Sequence, residues 1–340
     1  MSRVVVITGG TAGVGRATAR ELARAGDAVA ILARGEDRLA ATAAELRAMG
    51  ARALPIAADV SDASAVEAAA TEVERTLGPI DVWINNAMVT VVGTVEQISP
   101  DELRRVTDVC YHGTAWGTRA ALARMRPRNR GTILQVGSAL AYRSIPLQAA
   151  YCAAKHAIAG FTDSLRSELI HDRAAIDLCM IQLPAVNTPQ FQWCLNHTEH
   201  ACQPVPPIFE PEVIARAIVA LSHRPRREVF LGASSIRAIV GTKLAPGFAD
   251  HVLARQGYTG QLLDEPNPRG PANLFEPVGG DPGARGRFSD RARRRDAIAR
   301  VATWLGGSAT QGLIVGAALG LALLAGYSGR TMRSARWPRS

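Results

Sequence analysis

The stretch Val4-Val5-Val6-Ile7-Thr8-Gly9-Gly10-Thr11-Ala12-Gly13-Val14-Gly15 decides the fold. A run of strand length ends at Thr8, and a helix-forming segment follows from Gly15 to Ala25. The glycines let the backbone turn tightly and approach a pyrophosphate, whose charge the free N–H groups of a helix N-terminus would meet. Such a turn can also be a plain strand–helix connection, but its position favours a nucleotide site. The candidate binding residues here are Thr8, Gly9, Gly13, Val14 and Gly15.

Strand-length apolar runs alternate with helical segments through the first two-thirds of the chain. The runs are Val4–Thr8, Ala28–Leu32, Ala53–Ala57, Val82–Asn85, Thr132–Val136, Ile176–Leu183 and Glu228–Leu231. Strands that are apolar throughout indicate a parallel sheet covered by helices on both faces. The pattern therefore predicts an α/β fold with a doubly wound parallel sheet of the Rossmann type, whose ligands bind at the carboxyl ends of the strands.

Composition excludes several function classes. The 340 residues carry a net charge of +9, and the segment from Arg285 to the end, with eleven arginines and two aspartates, accounts for all of it. The basic character therefore belongs to a C-terminal tail and predicts no nucleic-acid-binding domain. Five cysteines without metal-ligand spacing, and no secretory leader pattern at the N-terminus, predict a reducing, cytoplasmic location.

The end of the second strand indicates which nucleotide is bound. Ala33 stands where an acidic residue would grip a ribose 2′-hydroxyl, and Arg34 follows. An arginine can form charge-assisted bonds to a 2′-phosphate, so NADP(H) is preferred over NAD(H), although Arg34 could instead be a solvated loop residue. Asp59 and Val60, after the third strand, are candidates for the adenine edge, or Asp59 could be a simple helix cap.

The chemical signal is Tyr151 and Lys155, with Ser138 thirteen residues upstream of the tyrosine. A spacing of four residues places the phenol and the ammonium on one helix face. The ammonium would lower the pKa of the phenol toward useful acid–base work, and Ser138 would bond the substrate oxygen. Alone, this spacing also suits an ordinary amphipathic helix. Asn85-Asn86-Ala87, which could be a simple turn, would hold the floor of the site.

In order and spacing these motifs resemble the short-chain dehydrogenase/reductase family over roughly residues 3–235. The resemblance implies that Lys155 also holds the nicotinamide ribose and that Thr188 bonds the nicotinamide carboxamide or the phosphates. It further implies a homodimer or homotetramer through the helices near 100–125 and 150–169.

Three positions depart from the family pattern. Met88 stands where a glycine usually follows the two asparagines, and Ala185 replaces the glycine of a proline–glycine pair. Cys110 replaces an asparagine that relays protons from the lysine in the family. A thiol is a poorer hydrogen-bond partner than an amide, so the relay must be rerouted or weakened. We expect Cys110 to be a small buried residue and not a redox group.

The segment of about 189–211 lies where the family places its substrate lid. It offers apolar area and little fixed charge, which predicts a hydrophobic carbonyl or alcohol as substrate. The segment also contains His197, Glu199 and His200, for which a solvated loop is the simpler explanation, and we predict no metal site.

The remaining chain divides by composition. Residues 1–235 form the predicted catalytic domain, 236–300 a Pro/Gly-rich extension and basic linker, 301–328 a hydrophobic helix and 329–340 a basic tail. The charge-free run from Trp304 to Tyr327 is long enough to cross a bilayer and has aromatic residues at both ends. It favours a membrane anchor, with a helix packed on protein or a disordered tail as alternatives.

The sequence thus predicts an NADP(H)-dependent oxidoreductase that interconverts a carbonyl and an alcohol. Tyr151 is the acid–base group, Lys155 lowers its pKa, and Ser138 polarises the substrate oxygen. The alternative is a non-catalytic NADP-binding sensor or scaffold protein at the membrane, favoured by the departures at Met88 and Cys110.

Overall fold

The computed structural model describes residues 2–296. Its strands are β1 Val4–Thr8, β2 Ala28–Ala33, β3 Ala53–Ala57, β4 Val82–Asn85, β5 Val91–Val92, β6 Gly131–Ser138, β7 Ile176–Leu183, β8 Leu195–Asn196, β9 His200–Cys202, β10 Glu228–Phe230 and β11 Leu262–Pro266. Seven of them form a parallel sheet in the order β10-β7-β6-β4-β1-β2-β3. The predicted doubly wound parallel sheet is therefore confirmed.

Helices cover both faces of this sheet. They are α1 Gly13–Arg24, α2 Glu36–Ala48, α3 Ala63–Thr76, α4 Pro100–Thr107, α5 Gly113–Met125, α6 Ala149–His171, α7 Gln190–Trp193, α8 Pro211–His223, α9 Ala233–Leu244 and α10 Pro246–Gln256. Successive residues of β1 serve two cores, because side chains alternate across a strand. Val4 and Val6 pack with α3, α5 and α6, whereas Val5 and Ile7 pack with α1, α2 and α8.

The predicted helix 100–125 is interrupted in its middle. A capping box of Ser99 and Glu102 begins α4, and one π-helical turn, Asp108–His112, joins α4 to α5. A π turn inserts an extra residue into the helix and often occurs at functional sites. Cys110 lies at the centre of this turn.

The chain after β10 continues to pack against the catalytic body. Strand β11 pairs antiparallel with β9, and Leu274 and Phe288 are buried. Residues 2–296 contain no helix with the length and apolar character that a membrane crossing needs. The predicted hydrophobic helix at 301–328 and the basic tail at 329–340 lie outside the described residues.

Candidate active site

The glycine-rich turn lies at the carboxyl end of β1, where close packing leaves no room for side chains. Gly9 and Gly13 have φ values of +66° and +56°, a region that favours glycine. A Cβ on Gly15 would lie 2.1 Å from the carbonyl oxygen of Gly9 and 2.6 Å from Nδ2 of Asn86. The turn therefore brings backbone close to the space at the end of the strand, as a pyrophosphate site requires.

Asn86 holds this turn to the neighbouring strand. Its Nδ2 donates to the carbonyl oxygens of Thr8 and Gly9 at 2.9 and 3.1 Å. In return, Oγ1 of Thr8 accepts from the backbone N–H groups of Asn86 and Ala87, both at 3.0 Å. Asn85 is buried one residue earlier, and its Nδ2 donates to Oε1 of Gln135 at 2.9 Å. The two asparagines thus tie β4 to the strands on either side of it.

A glycine-to-alanine pair tests this packing. Gly15→Ala is expected to destabilise the fold by about 1–3 kcal/mol, because its Cβ would overlap backbone that cannot shift freely. Gly160→Ala is the control: no atom lies within 4 Å of a Cβ there, and alanine in the exposed middle of α6 is expected to stabilise by about 0.5–1 kcal/mol. Thermal unfolding measures both changes, and equal effects would contradict the steric argument.

Ser138, Tyr151 and Lys155 line one cavity of about 480 Å³. Ser138 ends β6, and the other two lie on α6. Lys155 is only 3% exposed, and its Nζ donates to the carbonyl oxygen of Val136 at 2.7 Å. The same Nζ lies 5.5 Å from the ring centroid of Tyr151. The three predicted catalytic residues are therefore brought together at the carboxyl edge of the sheet.

The pKa of the Tyr151 phenol is shifted in the direction opposite to the one that the sequence predicts. Burial raises the pKa of Tyr151, the nearby Cys110 raises it further, and a hydrogen bond with Ser138 offsets part of the rise. Burial also lowers the pKa of Lys155. The predicted lowering of the tyrosine pKa by Lys155 is not what this structure has. The physical reason is desolvation, which disfavours both charged forms and which residue spacing does not reveal.

Cys110, near Tyr151, makes two hydrogen bonds with the backbone of Val89. Its Sγ donates to the carbonyl oxygen of Val89 at 3.2 Å and accepts from the N–H of the same residue at 3.5 Å. Burial raises the pKa of this thiol, so it remains protonated at neutral pH. Cys110 is fully buried, as expected, but it also anchors the segment after Met88, which lines the cavity.

A C-terminal segment, which we call the strap (residues 273–286), crosses the other end of the cavity. Arg34 donates to the backbone carbonyls of Asn273 and Phe275, and Nε of Arg38 donates to that of Gly280 at 2.8 Å. Burial lowers the pKa of both arginines. Asn273 of the strap lines the same cavity as the two arginines. The strap therefore covers this end of the cavity.

Two further contacts fix the strap to the glycine-rich turn. The N–H of Gly13 donates to the carbonyl oxygen of Gly283 at 3.3 Å, and Arg16 pairs with both Asp281 and Glu45. The strap thus contacts the turn that the sequence assigns to the pyrophosphate.

Sequence reasoning missed Arg38 and Arg105. Arg105 bonds Asp59, the predicted adenine contact, and its Nε donates to the carbonyl oxygen of Leu274 in the strap at 3.0 Å. Val60, beside Asp59, also lines the cavity. A signal existed for Arg38, because it follows Arg34 by four residues at the start of a helix. None existed for Arg105, which is distant in sequence from every residue that it contacts except those of α4.

The substrate end of the cavity has mainly apolar walls from the predicted lid and the C-terminal region. Its lining here includes Phe191, Val205, Pro206, Ala238 and Leu253. Nε2 of Gln148 donates to Oε1 of Gln261 at 2.7 Å across this end. Thr188 lines the cavity next to Gly13. His197 bonds Glu102, at 3.0 Å from its Oε2, and so ties the lid to α4. Among residues 2–296, no group of three or more metal-ligating side chains is found.

Comparisons with known proteins agree with this geometry. A family model described as short chain dehydrogenase matches residues 3–198. The uncharacterized oxidoreductase YxnA of Bacillus subtilis (strain 168) is 30% identical over 279 residues, which are 81% of this chain and 78% of that protein. Several other curated relatives are matched over only 53% to 66% of their own length.

Two solved structures resemble the described fold. An alcohol dehydrogenase from the archaeon Thermococcus sibiricus, complexed with 5-hydroxy-NADP, aligns with a TM-score of 0.59 at 28% identity, covering 68% of this chain and 96% of that one. A variant of actinorhodin polyketide ketoreductase with NADPH aligns with a TM-score of 0.53 at 32% identity, covering 55% of this chain and 72% of that one. With the family model matching more than half of its length, the chain belongs to the short-chain dehydrogenase/reductase family of oxidoreductases.

Proposed function

We propose that this protein is an NADP(H)-dependent oxidoreductase that interconverts a carbonyl and an alcohol on a hydrophobic substrate. The observation that carries the proposal is one continuous cavity. It is lined by the glycine-rich turn and Arg34, by Ser138, Tyr151 and Lys155, and by apolar residues of the lid. A nicotinamide nucleotide and an apolar substrate would meet at the tyrosine.

The residues present fit such a nucleotide. The turn after β1 would hold the pyrophosphate, and Arg34 with Arg38 would hold a 2′-phosphate, because both arginines line the cavity after β2 and Ala33 stands where an acidic residue would grip the 2′-hydroxyl. Lys155 would hold the nicotinamide ribose. The solved neighbours that carry NADPH or a derivative of NADP support this choice of nucleotide. When bound, the nicotinamide ring supplies or accepts the hydride.

The chain's own residues would bind the substrate oxygen and transfer a proton to it. Ser138 would donate a hydrogen bond to the carbonyl oxygen, which gains negative charge in the reduction. Tyr151 would then give its phenolic proton to that oxygen. Because burial raises its pKa, the phenol is protonated at neutral pH and is ready to act as a general acid. Carbonyl reduction uses the protonated phenol, whereas alcohol oxidation uses the phenolate.

The pH dependence of the two directions follows from the raised pKa of Tyr151. Alcohol oxidation needs the phenolate, whose small fraction below the pKa grows about tenfold per pH unit. We expect the oxidation rate to rise steadily from neutral to alkaline pH, whereas the reduction rate stays nearly constant around neutrality. Initial rates across a pH series in both directions test this, and an oxidation rate that falls as the pH rises would contradict it.

The test of the proposal uses the full chain. Binding of NADPH and NADH is measured by nicotinamide fluorescence, followed by turnover with a panel of apolar ketones and alcohols. NADPH binding that is tighter than NADH binding, together with turnover, would support the proposal. Tight NADPH binding with no turnover across the panel would favour the sensor or scaffold alternative. Binding of neither nucleotide would remove the enzyme assignment.

Membrane association, the cytoplasmic location and a homodimer or homotetramer stay predictions of the sequence. A chain that ends at residue 300 tests the anchor: if 301–328 only attaches the enzyme to lipid, its turnover should equal that of the full chain while its binding to vesicles is lost. Unchanged vesicle binding would contradict the anchor.

A further inference from the structure

Two cysteines of the substrate lid lie against each other, and neither belongs to the group formed by Ser138, Tyr151 and Lys155. Sγ of Cys194, directly after α7, is 3.4 Å from Sγ of Cys202, at the end of β9. Both side chains line the cavity, and both are free thiols. Cys202 is buried with Val92 and Leu147, whereas Cys194 is partly accessible. A small solute in the cavity would therefore reach the sulfur pair.

The backbone around the pair is held from two sides. Strand β8, next to Cys194, pairs with β5 of the catalytic body through Val92 and Asn196. Cys202 pairs with Leu262 of β11, in the C-terminal extension. A disulfide bond needs sulfur atoms about 2.05 Å apart, so the pair has to close by only a little more than 1 Å. We expect side-chain rotation to supply this movement.

The acidity of the pair suits oxidation. A hydrogen bond joins the two sulfurs, and this bond, together with the nearby Arg287, lowers the pKa of Cys202. The same bond and burial raise the pKa of Cys194. One sulfur is thus the better nucleophile, and the other keeps its proton next to it, which is the arrangement of an attacking and a resolving cysteine.

We propose that Cys194 and Cys202 are a site of reversible oxidation to an intrachain disulfide, with a small hydroperoxide as the oxidant. The thiolate of Cys202 attacks one peroxide oxygen, the O–O bond breaks, and a sulfenic acid forms as the first water or alcohol leaves. The sulfur of Cys194 then attacks the sulfenic sulfur, and its thiol proton leaves with the hydroxyl as water. The two sulfurs lose two electrons in total, which the peroxide gains. A dithiol reductant reverses the reaction.

The bond would join two walls of the substrate end. The wall on the side of α7 carries Phe191 and Cys194, whereas Cys202 lies on β9, the part of the lid that pairs with β11 of the extension. Cross-linking these walls would stop them from moving apart for a bulky substrate. This consequence rests on the proposed function, but formation of the bond does not.

The first experiment follows the bond itself. The full chain is treated with hydrogen peroxide, digested without reduction, and analysed by mass spectrometry. We expect the segment that contains Cys194 and Cys202 to be lighter by two hydrogens, and dithiothreitol should restore the full mass. Cys194→Ala and Cys202→Ala should each lack this loss of mass, and Cys179→Ala, which changes a buried cysteine outside the cavity, should keep it. Absence of the cross-link in the wild-type chain would overturn the proposal, whether or not the enzyme turns over.

The second experiment measures the consequence. With substrates identified from the ketone panel, the oxidised chain should show a KM for the bulkiest substrate that is raised about threefold or more, and dithiothreitol should restore it. NADPH binding, which uses the other end of the cavity, should not change. The same KM in the oxidised and reduced wild-type chain would overturn the regulatory role.

Discussion

Tyr151→Phe is expected to lower turnover by about 10²- to 10⁴-fold while NADPH binding remains close to that of the wild type. The substitution removes only the phenolic oxygen, and with it the proton that the substrate oxygen would receive. The ring stays in place, so the contact with the Lys155 ammonium at 5.5 Å from the ring centroid can persist. Turnover assays and fluorescence titration on the same preparation measure the loss of activity and the dissociation constant of NADPH.

Tyr258→Phe is the matched control for this prediction. It removes the same atom from a tyrosine that is exposed and does not line the cavity, so it should leave both turnover and binding unchanged. The pH response also separates chemistry from folding. Residual oxidation by Tyr151→Phe should no longer rise steeply with pH, because the titrating phenol is gone. Undiminished turnover in Tyr151→Phe would end the assignment of this residue as the acid.

Arg34→Ser should weaken NADPH binding by about 10- to 100-fold and leave NADH binding nearly unchanged, since a hydrogen bond to a charged group contributes about 1.5–3 kcal/mol. Arg34 also bonds the backbone of the strap, so its loss could affect the strap itself. A loosened strap would change the binding of both nucleotides alike, because both share the adenosine. The ratio of the two dissociation constants therefore isolates the contact with the 2′-phosphate.

Arg52→Ser provides the control for Arg34→Ser. Arg52 is an exposed arginine at the opposite edge of the sheet, where it bonds the backbone of Thr76 and Leu77. Its substitution removes the same charge without touching the cavity, so the ratio should remain that of the wild type. An unchanged ratio in Arg34→Ser would mean that Arg34 does not select NADP(H). Arg38 would then be the remaining candidate for the contact with the 2′-phosphate.

Local patterns in the sequence predicted the sheet and the arrangement of the site. A run of apolar residues, a turn that only glycine can make, and a tyrosine and a lysine four residues apart are each determined within a few positions of the chain. The geometry of a parallel sheet then brings Gly13, Ser138 and Tyr151 to one edge. The order of the motifs was therefore enough to predict which residues share the cavity.

What could not be predicted depends on burial and on distant contacts. The direction of the Tyr151 pKa follows from desolvation, which requires the packed surroundings and not the spacing of two residues. The contacts of Arg34 with the strap join residues about 240 positions apart, and the strap is a Pro/Gly-rich segment without any periodic signal. Cys110 was recognised as a departure, but its bonds to Val89 depend on the π turn.

The strap also sets an order of events during synthesis. The nucleotide end of the cavity is lined by residues of the first 60 positions, among them Arg34 and Asp59, but also by Asn273 and Pro277 of the strap, which are made much later. A nascent chain can therefore form the sheet and the glycine-rich turn while this end of its cavity is still open to solvent. The strap can cover this end only after nearly all of the described chain has left the ribosome, so we expect completion of the nucleotide site to be among the last steps of its folding.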